Sequence, residues 1–154
     1  MPQRRVLLDN YAYHTVSVTR DRRPLLTLRG VPDVLLRAID YERNALHASV
    51  LAYAILPDHM HLLVVPTEPF DVSKVMHSLK SFSAKAINQT LNRNGSVWQA
   101  SFYDRVIRDH EHLLRTVEYI HHNPVAAGLV SHAEEYAWCS AYPSSVTDGE
   151  SFFG

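Results

Sequence analysis

Two apolar runs, residues 46–56 (LHASVLAYAIL) and 59–65 (HMHLLVV), stand with only Pro57 and Asp58 between them, and Pro66 closes the second. Both read as strands, with Pro57-Asp58 as the break that joins them. Around this pair the other elements fall into place. Residues 13–19 (YHTVSVT) alternate and are rich in β-branched types, which predicts another strand, and 20–24 form a charged turn. Over residues 30–44, Val31, Leu35, Ala38 and Ile39 recur at helical spacing, with Pro32-Asp33 near the start. Asp71 caps a long amphipathic helix whose stripe is Val72, Val75, Met76, Leu79, Phe82, Ala86, Ile87 and Leu91, ended by Asn94-Gly95. Residues 97–107 (VWQASFYDRVI) read as a fourth strand, irregular at Tyr103-Asp104. Asp109 caps a third helix that stops near Pro124, because the residue before a proline resists helical dihedrals. The order β-α-β-β-α-β-α suits an α+β fold, an antiparallel sheet with packed helices in the ferredoxin-like manner.

Neither a repeat nor a linker interrupts the 154 residues, so one domain over 1–154 is expected. No apolar run reaches the roughly 18–20 residues of a membrane helix. The N-terminal apolar stretch, residues 6–8, is too short for a signal peptide, and the single Cys139 excludes an internal disulfide framework and any multi-cysteine zinc site. A cytoplasmic protein is the expectation. Net charge is −1, yet its distribution is uneven. Residues 72–108 carry six basic side chains (Lys74, Lys80, Lys85, Arg93, Arg105, Arg108) against Asp104 alone, while 131–154 hold four acids and no Lys or Arg. A solvated helix face with a mobile acidic tail accounts for this pattern; so does a surface for nucleic-acid phosphates.

His59-Met60-His61 opens the third strand, where alternate side chains share a face. The imidazoles of His59 and His61 therefore point one way, placed to chelate a divalent cation, while Met60 points to the core. Asp58 is in position to orient one of them or to make the turn. On the third helix the apolar stripe is Leu113, Leu114, Val117 and Ile120. At about 100° per residue, Tyr119 lies roughly 160° from its centre and Asn123 roughly 120°. The two are four residues apart and share a helix face that offers a phenol and an amide oxygen. A phenol attacks poorly at neutral pH, with a pKa near 10, unless a neighbouring cation lowers it. The same tyrosine could also be merely exposed, and His121 and His122 could be solvent-facing.

Four segments carry a family resemblance: AYAILPDHMHLLVVP, LKSFSAKAIN, VWQASFYDRVIRD and YIHHNPVAAGLV. In this order, over about residues 13–138, the chain resembles the single-tyrosine HUH transposases of bacterial insertion sequences, and within them the REP-associated tyrosine transposases. The resemblance implies a ferredoxin-like HUH endonuclease core with the histidine pair on a central strand. It implies Mg²⁺ or Mn²⁺ at His59, His61 and Asn123, and Tyr119 as the nucleophile. It further implies a single-stranded DNA substrate, often a hairpin, cleaved to leave a 5′-phosphotyrosine and a 3′-hydroxyl. The basic residues 74–108 would contact phosphates, with Trp98 and Phe102 as stacking platforms or buried aromatics. Two departures stand out. Ala126 and Ala127 occupy a loop where the family often has arginine, and the chain is less basic than many members. Three alternatives stay open: a non-catalytic single-stranded nucleic-acid-binding module of the same fold, a hydrolase that uses water, and Tyr103 as the nucleophile. A monomer and a homodimer are equally compatible with the sequence.

Overall fold

The computed structural model describes residues 11–153; the apolar stretch at 6–8 lies outside them. Four strands, β1 (Ala12–Val18), β2 (Ala48–Ile55), β3 (His59–Pro66) and β4 (Tyr103–Ile107), form one sheet in the order β2-β3-β1-β4. All three pairings are antiparallel. Helices α1 (Val31–Asn44), α2 (Val72–Leu91) and α3 (His110–Ala126) complete the expected β-α-β-β-α-β-α succession, and a short turn of helix, α4 (Glu150–Phe153), follows.

The alternation of β3 divides the molecule into two cores. Met60, Leu62 and Val64 point to one face and pack with Val34, Leu35 and Ile39 of α1 and Val75, Met76 and Leu79 of α2. Leu63 and Val65 point to the other and pack with Leu113 and Ile120 of α3. So α1 and α2 cover one side of the sheet and α3 the other. β3 is thereby sealed on both faces, which explains why its sequence is a nearly continuous apolar run. A β-bulge between Val50 and Ala52 shifts the β2–β3 register, so that Ala54 comes opposite His61.

Several expected boundaries move, each for a local reason. β4 begins at Tyr103 rather than 97, because Trp98 turns into the first core and meets the sheet only through a bridge to Thr19. The Lys80 ammonium then takes the carbonyls of Gln99 and Ser101 at 3.0 and 3.2 Å, which withdraws them from any ladder. α2 ends at Leu91, with Asn92 in the left-handed region (φ 51°). Phe82 is exposed and stacks on Tyr41, while Ser83 turns inward to accept a hydrogen bond from the Trp98 indole at 3.1 Å. α3 runs through Pro124 to Ala126. The proline falls in the last turn, where only one helical hydrogen bond is lost, and its ring is buried.

The acidic segment after residue 131 is packed rather than mobile over its described residues. Tyr136, Cys139 and Phe152 are buried in the second core. The Ile55 amide donates to the Trp138 carbonyl and the Ser140 amide to the Tyr53 carbonyl, so this segment lies along the outer edge of β2. The Tyr136 hydroxyl donates to the Ile55 carbonyl at 2.6 Å, and burial pushes its pKa up to about 12. Asp148 accepts two hydrogen bonds from Arg43, both 2.9 Å, and one from the Val50 amide at 2.8 Å. Burial pushes the Asp148 carboxyl up, but Arg43 and the Val50 amide hold it below the usual carboxylate range.

Asp148→Ala should therefore keep the fold and lose about 1–3 kcal/mol of stability in urea unfolding near neutral pH. Because the folded-state pKa is lowered, this contribution is present above the unfolded carboxylate pKa of about 4 and disappears in acid. The gap between wild type and variant should narrow below that pH; a gap that widens there would contradict the assignment.

Candidate active site

On the α3 side of the sheet, β3 presents His59 and His61, β1 presents His14 and Val16, and β4 presents Tyr103 and Arg105. Register fixes this set: Val16 stands opposite His61, and Arg105 opposite His14. His14 and His61 are thus diagonal neighbours across the β1–β3 ladder, within reach of each other's rings. Their rings stack with centroids 5.2 Å apart, and His14 Nε2 lies 2.9 Å from His61 Nδ1. His59 and His61 rings meet edge-on at 5.1 Å. The Asp58 carboxylate holds His59 Nδ1 at 2.8 Å and also receives Arg22 at 3.2 Å.

α3 brings the phenol. Asp109 caps it by accepting from the His112 amide at 2.7 Å. Its buried stripe is Leu113, Thr116, Ile120 and Pro124; Leu114, expected within it, is exposed. The Thr116 hydroxyl satisfies itself on the His112 carbonyl at 2.8 Å, which lets a polar residue take an inward position. The stripe is consequently rotated from the expected one. Tyr119 sits on its flank beside Thr116 rather than on the far side of the helix, and Asn123 is half-buried one turn further on. The Tyr119 ring stands edge-on to His61 at 5.8 Å and to His14 at 5.9 Å, while 57% of the residue remains exposed. One chain therefore brings together its own tyrosine and its own histidine pair.

A cleft of about 500 Å³ opens beside the Tyr119 ring, lined by His14, Val16, Tyr103, Asp104, Arg105, His112, Arg115, Thr116 and Tyr119. Tyr103 shares this cleft, but it is Tyr119 whose ring packs against His14 and His61. Arg105 is exposed, and Arg115 is exposed and paired with Glu111 at 2.9 Å. The open wall of the cleft carries the Arg105 and Arg115 guanidinium groups and the Asp104 carboxylate. Burial lowers the pKa of His61 to about 3, with His14 and His59 contributing, and that of His14 to about 4, with Arg105 and His112 contributing. Both rings are neutral at pH 7. Burial pushes the Asp58 carboxyl up, but His59 and Arg22 hold it below its ordinary value.

The fit of a divalent cation can be judged from the imidazole nitrogens. Each histidine of the pair has Nδ1 occupied, His59 by a carboxylate and His61 by His14. His61 Nε2 is buried and has no hydrogen-bond partner among the described residues. A buried nitrogen left unpaired calls for an explanation, and an imidazole whose second nitrogen is held from behind is the usual arrangement of a metal ligand. Asn123 stands one turn beyond Tyr119 on α3 and is not among the residues lining the cleft.

The other sequence candidates scatter. Lys74, Lys80, Lys85 and Arg93 belong to α2 or the loop after it, in the helix layer across the sheet from the cleft; Arg105 and Arg108 alone stand on or beside β4. Lys80 is engaged with the 99–101 loop, and Arg93 donates to Asn88 at 2.8 Å. Trp98 is a core residue, and Phe102 lies under the Lys80 ammonium at 5.8 Å. His121 bonds Ser140 at 2.7 Å and His122 is exposed. His14, His112, Arg115 and Thr116 were not singled out by the sequence. His14 belongs to a visible alternating strand, but nothing local says that β1 lies beside β3.

The transposase IS200-like family model matches residues 8–123, three quarters of the chain, a span that includes His59, His61, Tyr119 and Asn123. A REP-associated tyrosine transposase of Escherichia coli K12 is 26% identical over 138 residues, 89% of this chain and 79% of its own length. A Haemophilus influenzae relative, whose designation is the provisional form of the same name, is 29% identical over 100 residues. That match spans 58% of this chain and 57% of the relative, little more than half its length. Among solved structures, a REP-associated tyrosine transposase bound to a REP hairpin is similar with a TM-score of 0.69. It is 24% identical, covering 85% of this chain and 76% of its own, so the likeness is one of fold. No helix among the described residues is long and apolar enough to cross a membrane.

Nuclear magnetic resonance titration of the metal-free protein tests the burial of the two imidazoles. The His14 and His61 rings should stay neutral from pH 8 to below pH 5, where an unfolded histidine titrates near 6.5. Because both folded-state pKa values are lowered, the unfolded chain binds protons first as pH falls below 6.5, so these sites destabilise the fold progressively towards pH 4. A ring that titrates near 6.5 would show that it is not buried as described.

Proposed function

This chain belongs to the IS200-like transposase family, and from that membership we propose that it is a single-stranded DNA endonuclease and strand transferase of the REP-associated kind. Tyr119 is the nucleophile, His59, His61 and Asn123 hold Mg²⁺ or Mn²⁺, and the substrate is hairpin DNA. The observation that carries this reading is the packing of the exposed Tyr119 ring against the buried His61 ring, with His59 alongside, inside one chain.

The chemistry follows from what each group can do. The Tyr119 oxygen attacks the scissile phosphorus; the P–O bond to tyrosine forms as the bond to the 3′ oxygen breaks. The phenol loses its proton and the leaving 3′ oxygen takes one up, giving a 5′-phosphotyrosine and a 3′-hydroxyl. One phosphodiester is exchanged for another, so a 3′-hydroxyl can later attack the phosphotyrosine and rejoin a strand. When bound, the cation polarises the phosphate and offsets charge that builds in the transition state. Mn²⁺ should bind at least as well as Mg²⁺, since imidazole ligands suit it better. Arg105 and Arg115, on the open wall of the cleft, supply positive charge beside the phosphate. The buried His61 imidazole keeps its lone pair free across the physiological range, and Asp58 orients His59.

Labelled hairpin DNA, Mn²⁺ and denaturing gels test the proposal. Wild type should yield a covalent protein–DNA adduct that chelator abolishes and that falls to background in Tyr119→Phe. Binding without adduct across a varied hairpin set would leave a non-catalytic module. Cleavage that persists in Tyr119→Phe would assign the chemistry to water or to Tyr103.

A further inference from the structure

His59 and His61 are held from behind by different groups. His59 Nδ1 faces a carboxylate, which accepts a proton and leaves Nε2 bare. His61 Nδ1 faces another imidazole nitrogen, His14 Nε2, at 2.9 Å, and one proton must lie between them. Two arrangements are possible. If His14 donates, His61 carries its proton on Nε2, which is buried and has no acceptor among the described residues. If His61 donates, its Nε2 is an unprotonated lone pair. A buried N–H without an acceptor costs its full desolvation, whereas an unfilled acceptor site is tolerated more often. The geometry therefore favours the second arrangement.

We infer that His14 is a positioning residue that accepts the Nδ1 proton of His61 and so fixes His61 in the tautomer whose Nε2 can ligate a divalent cation. This rests on the reading of His61 as a ligand given above. The nitrogen that a histidine offers is set by the hydrogen bond made at its other nitrogen. His14 suits the task because of its neighbours. It stands opposite Arg105 and lines the cleft beside Tyr119, where a carboxylate added to that of Asp104 would repel a phosphate. An uncharged imidazole accepts the proton without adding further negative charge to that wall.

The test uses the full chain, uniformly ¹⁵N-labelled, with two variants. His14→Phe removes the acceptor; His14→Gln restores one, since the glutamine carbonyl oxygen stands about where imidazole Nε2 does. Long-range ¹H–¹⁵N spectra of the metal-free protein read the His61 tautomer, Mn²⁺ titration reads affinity, and thermal melting confirms folding. Wild type should show His61 protonated at Nδ1. His14→Phe should shift it towards the Nε2–H form and weaken Mn²⁺ binding about 10–100-fold. His14→Gln should restore the Nδ1–H form and bring affinity back to within a few fold. His59→Ala should lose Mn²⁺ while leaving the His61 tautomer unchanged.

His61 protonated at Nε2 in wild type would overturn the inference. So would an unaltered tautomer in His14→Phe, or a folded His14→Gln that restores neither property. Wild-type protein that shows the Nδ1–H form yet takes no Mn²⁺ would instead sink the metal reading and leave the His14 assignment standing.

Discussion

A strand covered on both faces has no exposed side on which to place a polar group, and β3 is such a strand. Every second residue from Met60 must satisfy the α1–α2 core, and every second residue from His59 must satisfy the α3 side. Histidine at position 61, 3% exposed, is admissible there only if its nitrogens are provided for. The β1–β3 register provides for one of them by setting His14 on the diagonal, and the site is built outward from that pairing. The Tyr119 ring stands edge-on to both members of that pair, and burial keeps both imidazoles neutral.

The cleft separates charge by depth. Its floor is made of the neutral His14 imidazole, a threonine hydroxyl turned back on its own helix, and the aliphatic Val16. Cationic guanidinium groups stand at the mouth. Charged groups of both signs, Asp104 among them, are thus kept at the exposed mouth, and no charged side chain of the cleft lining stands in its interior.

Most of the fold was legible because its signals are local. The alternation of residues 13–19, the Pro57-Asp58 break, the Asp71 and Asp109 caps and the three-to-four spacing of α1 and α2 each act within a few residues. The family segments, read together, gave the core architecture and the grouping of His59, His61 and Tyr119. What escaped the reading depends on partners distant in sequence. Trp98 and Val97 resemble strand residues until the core between α1 and α2 claims them, and the Lys80 ammonium intercepts the carbonyls that a strand would have used. Leu114 resembles a core residue until Thr116 satisfies its own hydroxyl and turns inward, rotating the helix and bringing Tyr119 to its flank. The basic residues from 74 to 108 form one cluster in sequence, but the sheet divides them between two layers. His14 has no signature of its own; only adjacency of β1 to β3 gives it a role.

The segment running along β2 has a consequence for how the molecule meets others of its kind. An open sheet ordinarily offers two raw edges, each a template for intermolecular pairing. Here the chain consumes one of them with its own backbone, through the amides and carbonyls of Tyr53, Ile55, Trp138 and Ser140. The other edge, β4, is five residues long and carries Asp104 and Arg105. Short length and alternating charge are common deterrents to strand addition. Among the described residues, both edges of the sheet thus carry features that discourage open-ended strand addition, and the sheet serves as a rigid platform for the histidine pair.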